Sequence, residues 1–167
     1  MRLTVPEPCL VILCGPAGSG KSTFAVRNFP ETSVVSSDRC RALIADDEAS
    51  LRVSRDAFAL FHEIIELRLR HRRLTVADST ALHPEARRAL RAIARRSGVP
   101  VTVVIFDVPE ATCRLWDARR DRRVGAGVIR RQWQMLQDAL RRIPGEGYDQ
   151  MVVLAEAEVT KARVDVA

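Results

Sequence analysis

Residues Gly15-Pro-Ala-Gly-Ser-Gly20-Lys21-Ser22 fit the spacing GxxxxGK[ST] at every defined position. Glycines at this spacing let the backbone curl so that successive N–H groups converge on phosphate oxygens, and a helix opening at Lys21 adds its positive dipole end. Lys21 is a point charge for the β- and γ-phosphates, and the Ser22 hydroxyl suits Mg²⁺. Gly15, Gly18, Ser19, Gly20, Lys21, Ser22 and Thr23 therefore form the expected nucleotide-binding set. The chain has only two lysines, Lys21 and Lys161, against an abundance of arginine. A lysine retained inside the motif weighs more than any single arginine.

Two further carboxylates follow strand-like runs. In VVSSDRCR, Asp38 precedes Arg41 by three residues; in LTVADST, Asp78 closes an apolar run. Ligands of parallel sheets gather at the carboxyl ends of strands, so both aspartates should look toward the phosphates. Phosphoryl transfer to an alcohol needs a carboxylate to take or orient the hydroxyl proton. Asp38 is the candidate, and the same residue also suits the N-cap of the helix that follows. Arg41, one turn on, could hold Asp38 or an acceptor phosphate. Asp78 joins Ser22 as a candidate for the Mg²⁺ shell. No NKxD-type run reads guanine, and the chain is short for a motor ATPase, so a small phosphotransferase is the natural class.

The elements that must position these groups are legible from periodicity. Apolar runs at 9–15, 32–38, 74–80, 101–108 and 149–154 read as strands. Between them lie helical stretches: 21–29, an amphipathic segment 56–73, one opening near Pro84 and ending at SGVP, one starting after Pro109, and a stripe of Ile129, Trp133, Leu136 and Leu140. Strand–helix alternation implies an α/β fold with about five parallel strands covered on both faces. At 167 residues a single domain, 1–167, is expected. Nine arginines against four acids fall in 110–142, with Arg119, Arg120, Arg122 and Arg123 beside the GAG turn 125–127. Two helices joined there would form a movable lid, roughly 110–145, that closes guanidiniums onto the transferring phosphoryl group.

Composition is ordinary for a soluble globular chain, 47% hydrophobic and 29% charged, with a net charge of +6 that favours an anionic ligand. No apolar run has membrane-spanning length, and MRLTVPEP lacks a signal-peptide layout. Four scattered cysteines without a CxxC pair read as reduced thiols of a cytoplasmic protein.

Taken together, MRLTVPEPCLVILCGPAGSGKSTFA, VVSSDRCRALIADDE, LTVADST, HPEARR and VIFDVPEATCRLWDARRDRRV resemble the kinase domain of bacterial polynucleotide kinase-phosphatases, enzymes of RNA repair. The similarity runs to about residue 155. It implies a P-loop kinase fold with a helical lid and transfer of the ATP γ-phosphate to the 5′-hydroxyl of RNA or DNA. It implies Asp38 as general base, Arg41 on the acceptor's phosphate, Lys21 and Ser22 on the donor phosphates and Mg²⁺, and Arg120 with Arg123 or Arg122 acting from the lid, Arg122 also toward the nucleotide. Arg87 in HPEAR matches a motif position without an assigned role. Phosphatase and ligase-like modules accompany this domain in fuller relatives.

Two departures stand out. Relatives continue the third-strand motif as Asp-x-Thr-Asn, where this chain has Ala81. The first lid arginine falls on Trp116, which leaves Arg114, Arg119 or stacking of the indole on a base to replace it. Two other readings remain: a small-molecule alcohol kinase of the same fold, and a nucleotide-dependent binding module. Few aromatics imply contacts to terminal nucleotides only.

Overall fold

The computed structural model describes Met1–Ala167. Its centre is β2 (Leu10–Cys14), five consecutive buried residues that read alternately onto two cores. Leu10, Ile12 and Cys14 enter one core, and Val11 and Leu13 the other. β5 (Val101–Asp107) repeats the pattern with Val101, Val103 and Ile105 against Val104 and Phe106. A strand buried on both faces is apolar throughout, which is why these runs were legible as strands of a covered parallel sheet.

The remaining strands of the five-stranded sheet are β3 (Val34–Ser36), β4 (Thr75–Asp78) and β6 (Gln150–Ala155), and the order is β3-β4-β2-β5-β6 with every pairing parallel. One face carries α2 (Ser37–Ala45), α3 (Ser54–Arg70) and α4 (Pro84–Ser97), through Cys40, Phe61, Ile65, Leu90 and Ile93. The other carries α1 (Lys21–Asn28), α5 (Glu110–Ala118) and α7 (Glu156–Val159), through Phe24, Cys113 and Val159. α6 (Ala126–Arg142) serves both: Ile129 packs in the second core, Leu136 and Ala139 in the first.

Several sequence expectations shift. The second strand stops at Ser36, whose hydroxyl accepts the Arg39 N–H at 3.1 Å and caps α2. Asp38 thus lies inside the first helical turn and is neither strand end nor N-cap. The long helix spans Ser54–Arg70 and not 56–73, because Arg72 takes a left-handed φ of 57° that turns the chain into β4. Gly127 is helical, so only Gly125 (φ 92°) turns the GAG segment. A second, two-stranded parallel sheet joins β1 (Arg2–Val5) to β7 (Arg163–Val166). Four-residue strands with mixed polarity carry too little periodicity to be recognised alone. No helix is long and apolar enough to cross a membrane.

Candidate active site

The phosphate loop joins the end of β2 to α1. Gly18 and Gly20 have φ of 76° and 89°, the left-handed region that glycine adopts without penalty. A Cβ on Gly18 would run into the Cys113 carbonyl of α5, and one on Gly20 would lie 2.8 Å from Val159 Cγ1. The loop is therefore pressed between α5 and α7. Lys21, Ser22 and Thr23 open α1, where backbone N–H groups lack intrahelical acceptors. Ser19 is buried and its hydroxyl donates to the Pro16 carbonyl at 2.7 Å, bracing the turn.

Lys21 is buried, and its ammonium donates to the Gly15 and Pro16 carbonyls at 2.9 and 2.6 Å. Burial lowers its pKa, opposed by the negative charge of Asp78. Ser22 Oγ donates to Asp78 Oδ2 at 2.9 Å. Burial raises the Asp78 pKa, against the pull of Lys21 and the Ser22 hydrogen bond. A carboxylate made costly by burial, beside a hydroxyl and facing the start of a helix, suits a hard cation that completes its shell with water and phosphate oxygens. The residues present fit Mg²⁺ carried on a nucleotide.

A cleft of about 690 Å³ runs along this loop. Lys21, Arg27, Arg41, Arg120, Arg122 and Arg123 line it, against the carboxylates of Asp38 and Asp78 only. Such an excess of cations suits a polyanionic ligand. At one end stand Asp38 and Arg41 of α2, near Leu51 and Phe58. Arg41 Nη1 meets Asp38 Oδ1 at 2.9 Å, its Nε reaches Ser54 Oγ at 3.4 Å, and its guanidinium sits 5.5 Å from the Phe58 ring centroid. The other Asp38 oxygen, Oδ2, lies 3.2 Å from Arg122 Nη1, which also reaches Glu48 at 3.6 Å. Both oxygens of the carboxylate thus face guanidiniums, one from its own helix and one from across the cleft.

The arginine-rich segment is anchored more firmly than a detached lid would be. Asp117 is buried, and its carboxylate accepts the Val124 and Gly125 N–H groups at 3.1 and 3.2 Å. α6 is rooted in both cores, and its Gln132 Oε1 accepts the Ala17 N–H of the phosphate loop at 2.8 Å. Arg120, Arg122 and Arg123 ride on the connection between α5 and α6 and enter the cleft. Arg119 is exposed outside it, and Arg114 borders a separate shallow hollow. Neither lines the cleft. Trp116 does line the cleft, its indole Cζ3 lying 3.5 Å from where a Gly20 Cβ would stand.

Arg87, a matched position without a role, is fully buried and lies outside the cleft. Sequence reasoning also missed Gln132, Asp117, Glu48 and Glu146. Each acts through a partner more than five residues away, and no local pattern marks such pairs.

A family model described as AAA domain matches residues 10–143. No curated protein sequence matches the chain. Among solved structures, a chain in the Pnkp1/Rnl/Hen1 RNA repair complex aligns with a TM-score of 0.67 at 21% identity, over 83% of this chain and 47% of that one. The present chain therefore spans about half its length. The APS kinase CysC of Mycobacterium tuberculosis, in complex with AMPPNP and APS, aligns with a TM-score of 0.57 at 17% identity over 94% and 96% of the two chains. A gluconokinase from Sinorhizobium meliloti 1021 gives 0.58 at 19% identity over 94% and 90%. At these identities the TM-scores show that the chain shares the fold of these proteins.

Proposed function

The chain belongs to the AAA domain family, and from that membership and the site we propose that it is a polynucleotide 5′-hydroxyl kinase, using ATP and Mg²⁺ on RNA or DNA ends. The observation that carries the reading is the Asp38–Arg41 pair at 2.9 Å, in the same cleft as Lys21 and Asp78. A carboxylate supplies the base, and a guanidinium stacked on Phe58 supplies a fixed anion contact beside it. An alcohol carrying a phosphate close to its hydroxyl engages both groups at once, and a 5′-terminal nucleotide has that layout.

In the proposed reaction the acceptor hydroxyl replaces one guanidinium on Asp38. Its proton passes to the carboxylate as its oxygen bonds to the γ-phosphorus, and the bond from that phosphorus to the β-bridging oxygen breaks to release ADP. Arg41 holds the acceptor phosphate. Arg122, drawn from Asp38 by the more highly charged phosphoryl oxygens, acts with Arg120 and Arg123 on the charge spread over the transferring group. Lys21 and the loop amides hold the donor phosphates. Ser22 and Asp78 would hold Mg²⁺, which would supply charge neutralisation of the nucleotide's phosphates. Phosphatase and ligase activities, in other modules or partners, would prepare the opposite end of the break and seal it to the 5′ end this domain phosphorylates.

The test is label transfer from γ-labelled ATP to a short single-stranded oligonucleotide with a 5′-hydroxyl, with gluconate as a phosphate-free acceptor. Labelled oligonucleotide with wild type and none with Asp38→Asn supports the assignment. Label only on gluconate, unaffected by Arg41→Ala, would establish a small-alcohol kinase instead.

A further inference from the structure

Arg87 in α4 touches neither the phosphate loop nor the cleft, yet it is the largest fully buried side chain in the molecule. Its Nη1 donates to two backbone carbonyls, Ala81 O at 3.0 Å and Leu82 O at 2.9 Å. Its Nε and Nη2 grip the Glu146 carboxylate at 2.9 and 2.6 Å. Glu146 in turn accepts from Arg91 at 3.0 Å and from the Tyr148 hydroxyl at 2.9 Å. A buried ion pair is a poor source of stability, because apolar residues of similar volume do as well or better. What apolar residues cannot do is satisfy two inward-facing carbonyls where water does not reach.

Those carbonyls belong to the segment that leaves Asp78. Ala81 has a φ of 47°, a left-handed conformation unfavourable for alanine, and its carbonyl also accepts from the Cys14 thiol at 3.4 Å. One residue earlier, Thr80 O accepts the Gly15 N–H at 3.0 Å, and Gly15 O accepts the Lys21 ammonium at 2.9 Å. A continuous set of bonds therefore links Glu146 through Arg87 and the 80–82 backbone to the first glycine of the phosphate loop and its lysine. Asp78, the last residue of β4 and 2.9 Å from Ser22 Oγ, lies three residues before Ala81 in the same stretch of chain.

We infer that Arg87 is a positioning residue: anchored by Glu146, it holds the Ala81 turn and so sets the distance between the Asp78 carboxylate and the phosphate loop, on which Mg²⁺-dependent nucleotide binding depends. The inference rests on the nucleotide-site part of the proposed function and is independent of the acceptor. Groups hydrogen-bonded directly to a metal ligand are worth roughly 10- to 100-fold in metal affinity, and the same scale is expected of a residue that places such a ligand through the backbone.

The experiment titrates Mg²⁺ against a fluorescent ATP analogue bound to wild type, Arg87→Lys, Glu146→Gln and Arg87→Lys/Ala81→Gly, with melting temperature and Gly15 amide exchange measured without ligand. Arg87→Lys and Glu146→Gln are expected to need roughly 10- to 100-fold more Mg²⁺, with little change in Mg²⁺-free nucleotide binding. The Gly15 amide should exchange faster, and Ala81→Gly should restore part of the loss, because glycine adopts the left-handed turn without penalty and adds no atoms to the buried site. A variant that remains folded with the wild-type Mg²⁺ requirement and Gly15 protection would overturn the inference. So would losses equal with and without Mg²⁺ that follow only the melting temperature. Should Arg87→Lys fail to fold, Glu146→Gln decides by the same criteria. Failure of wild type to bind the analogue at all would remove the nucleotide site itself, a result distinct from either.

Discussion

Asp38, Asp78 and Lys21 are three charged groups of one cleft with three different surroundings. Lys21 and Asp78 are buried with each other's charge nearby, whereas Asp38 is part-exposed between two guanidiniums. Asp78 takes up a proton at higher pH than an ordinary aspartate because burial penalises its anion. Affinity for Mg²⁺-nucleotide is expected to fall with decreasing pH, starting above the usual aspartate range. Asp78→Asn should remove that dependence along with the affinity, as read by calorimetry across pH. Arg122 is different. Its contacts to Asp38 and Glu48 are part-exposed and worth at most about 1 kcal/mol. Arg122→Ala should therefore leave the melting temperature nearly unchanged while turnover falls roughly 10²-fold, the scale for removing one stabilising contact to a transition state. A large drop in stability without loss of turnover would place Arg122 in the scaffold instead.

At the scale of the elements, the turn after β4 and the loop before α1 both use left-handed residues, an alanine in the first and glycines in the second. Alanine at the left-handed φ of residue 81 costs roughly 1–2 kcal/mol relative to a relaxed backbone. Ala81 is buried in the first core, so glycine, which relieves the φ without adding atoms, is the substitution that fits. Ala81→Gly is expected to stabilise the protein by about 0.5–1 kcal/mol, visible as a higher urea midpoint with unchanged slope. Gly18→Ala acts in the opposite direction. The new Cβ meets the Cys113 carbonyl in a conformation that already disfavours it, so α5 must retreat from the loop. A loss of about 1–3 kcal/mol is expected, together with weaker nucleotide binding, both measurable by denaturant titration with and without ATP.

For the molecule as a whole, the Arg87–Glu146 pair ties the turn after α6 to α4 on one face of the sheet. Burial pushes the Glu146 carboxyl up, but hydrogen bonds from Arg87 and Tyr148 and the charges of Arg87 and Arg91 outweigh it, so its pKa lies below the ordinary 4.5. A carboxyl lowered in the folded state contributes stability that is fully present above its unfolded pKa and is lost as pH falls through the folded one. The wild-type protein should therefore lose stability progressively below about pH 4.5. Glu146→Ala, which leaves the buried Arg87 unpaired, should cost about 3–5 kcal/mol at neutral pH and show a shallower acid limb. Unfolding curves collected from pH 3 to 7, roughly the span over which carboxylates titrate, test both statements.

The local pattern alone determined much of this protein. Strands buried on both faces must be apolar, phosphate loops must have glycine where φ is positive, and amphipathic helices must repeat near 3.6 residues, so β2, β5, the loop at 15–22 and the long helices were all readable. The assembly of Lys21, Ser22, Asp78, Asp38 and Arg41 around one cleft followed from the rule that parallel strands share a carboxyl end. Tertiary structure decided the rest. It moved Asp38 from a strand end into a helix, because the Ser36 hydroxyl accepts the Arg39 N–H and caps the helix two residues earlier than expected. It placed Arg122 against Asp38, chose Trp116 over Arg114 and Arg119 for the cleft wall, and rooted α6 in both cores. Arg87 makes the point most plainly: its partner Glu146 lies 59 residues away, and only the folded chain brings them together. Periodicity reports which face of an element is buried. It carries no information about which distant charge waits on the other side.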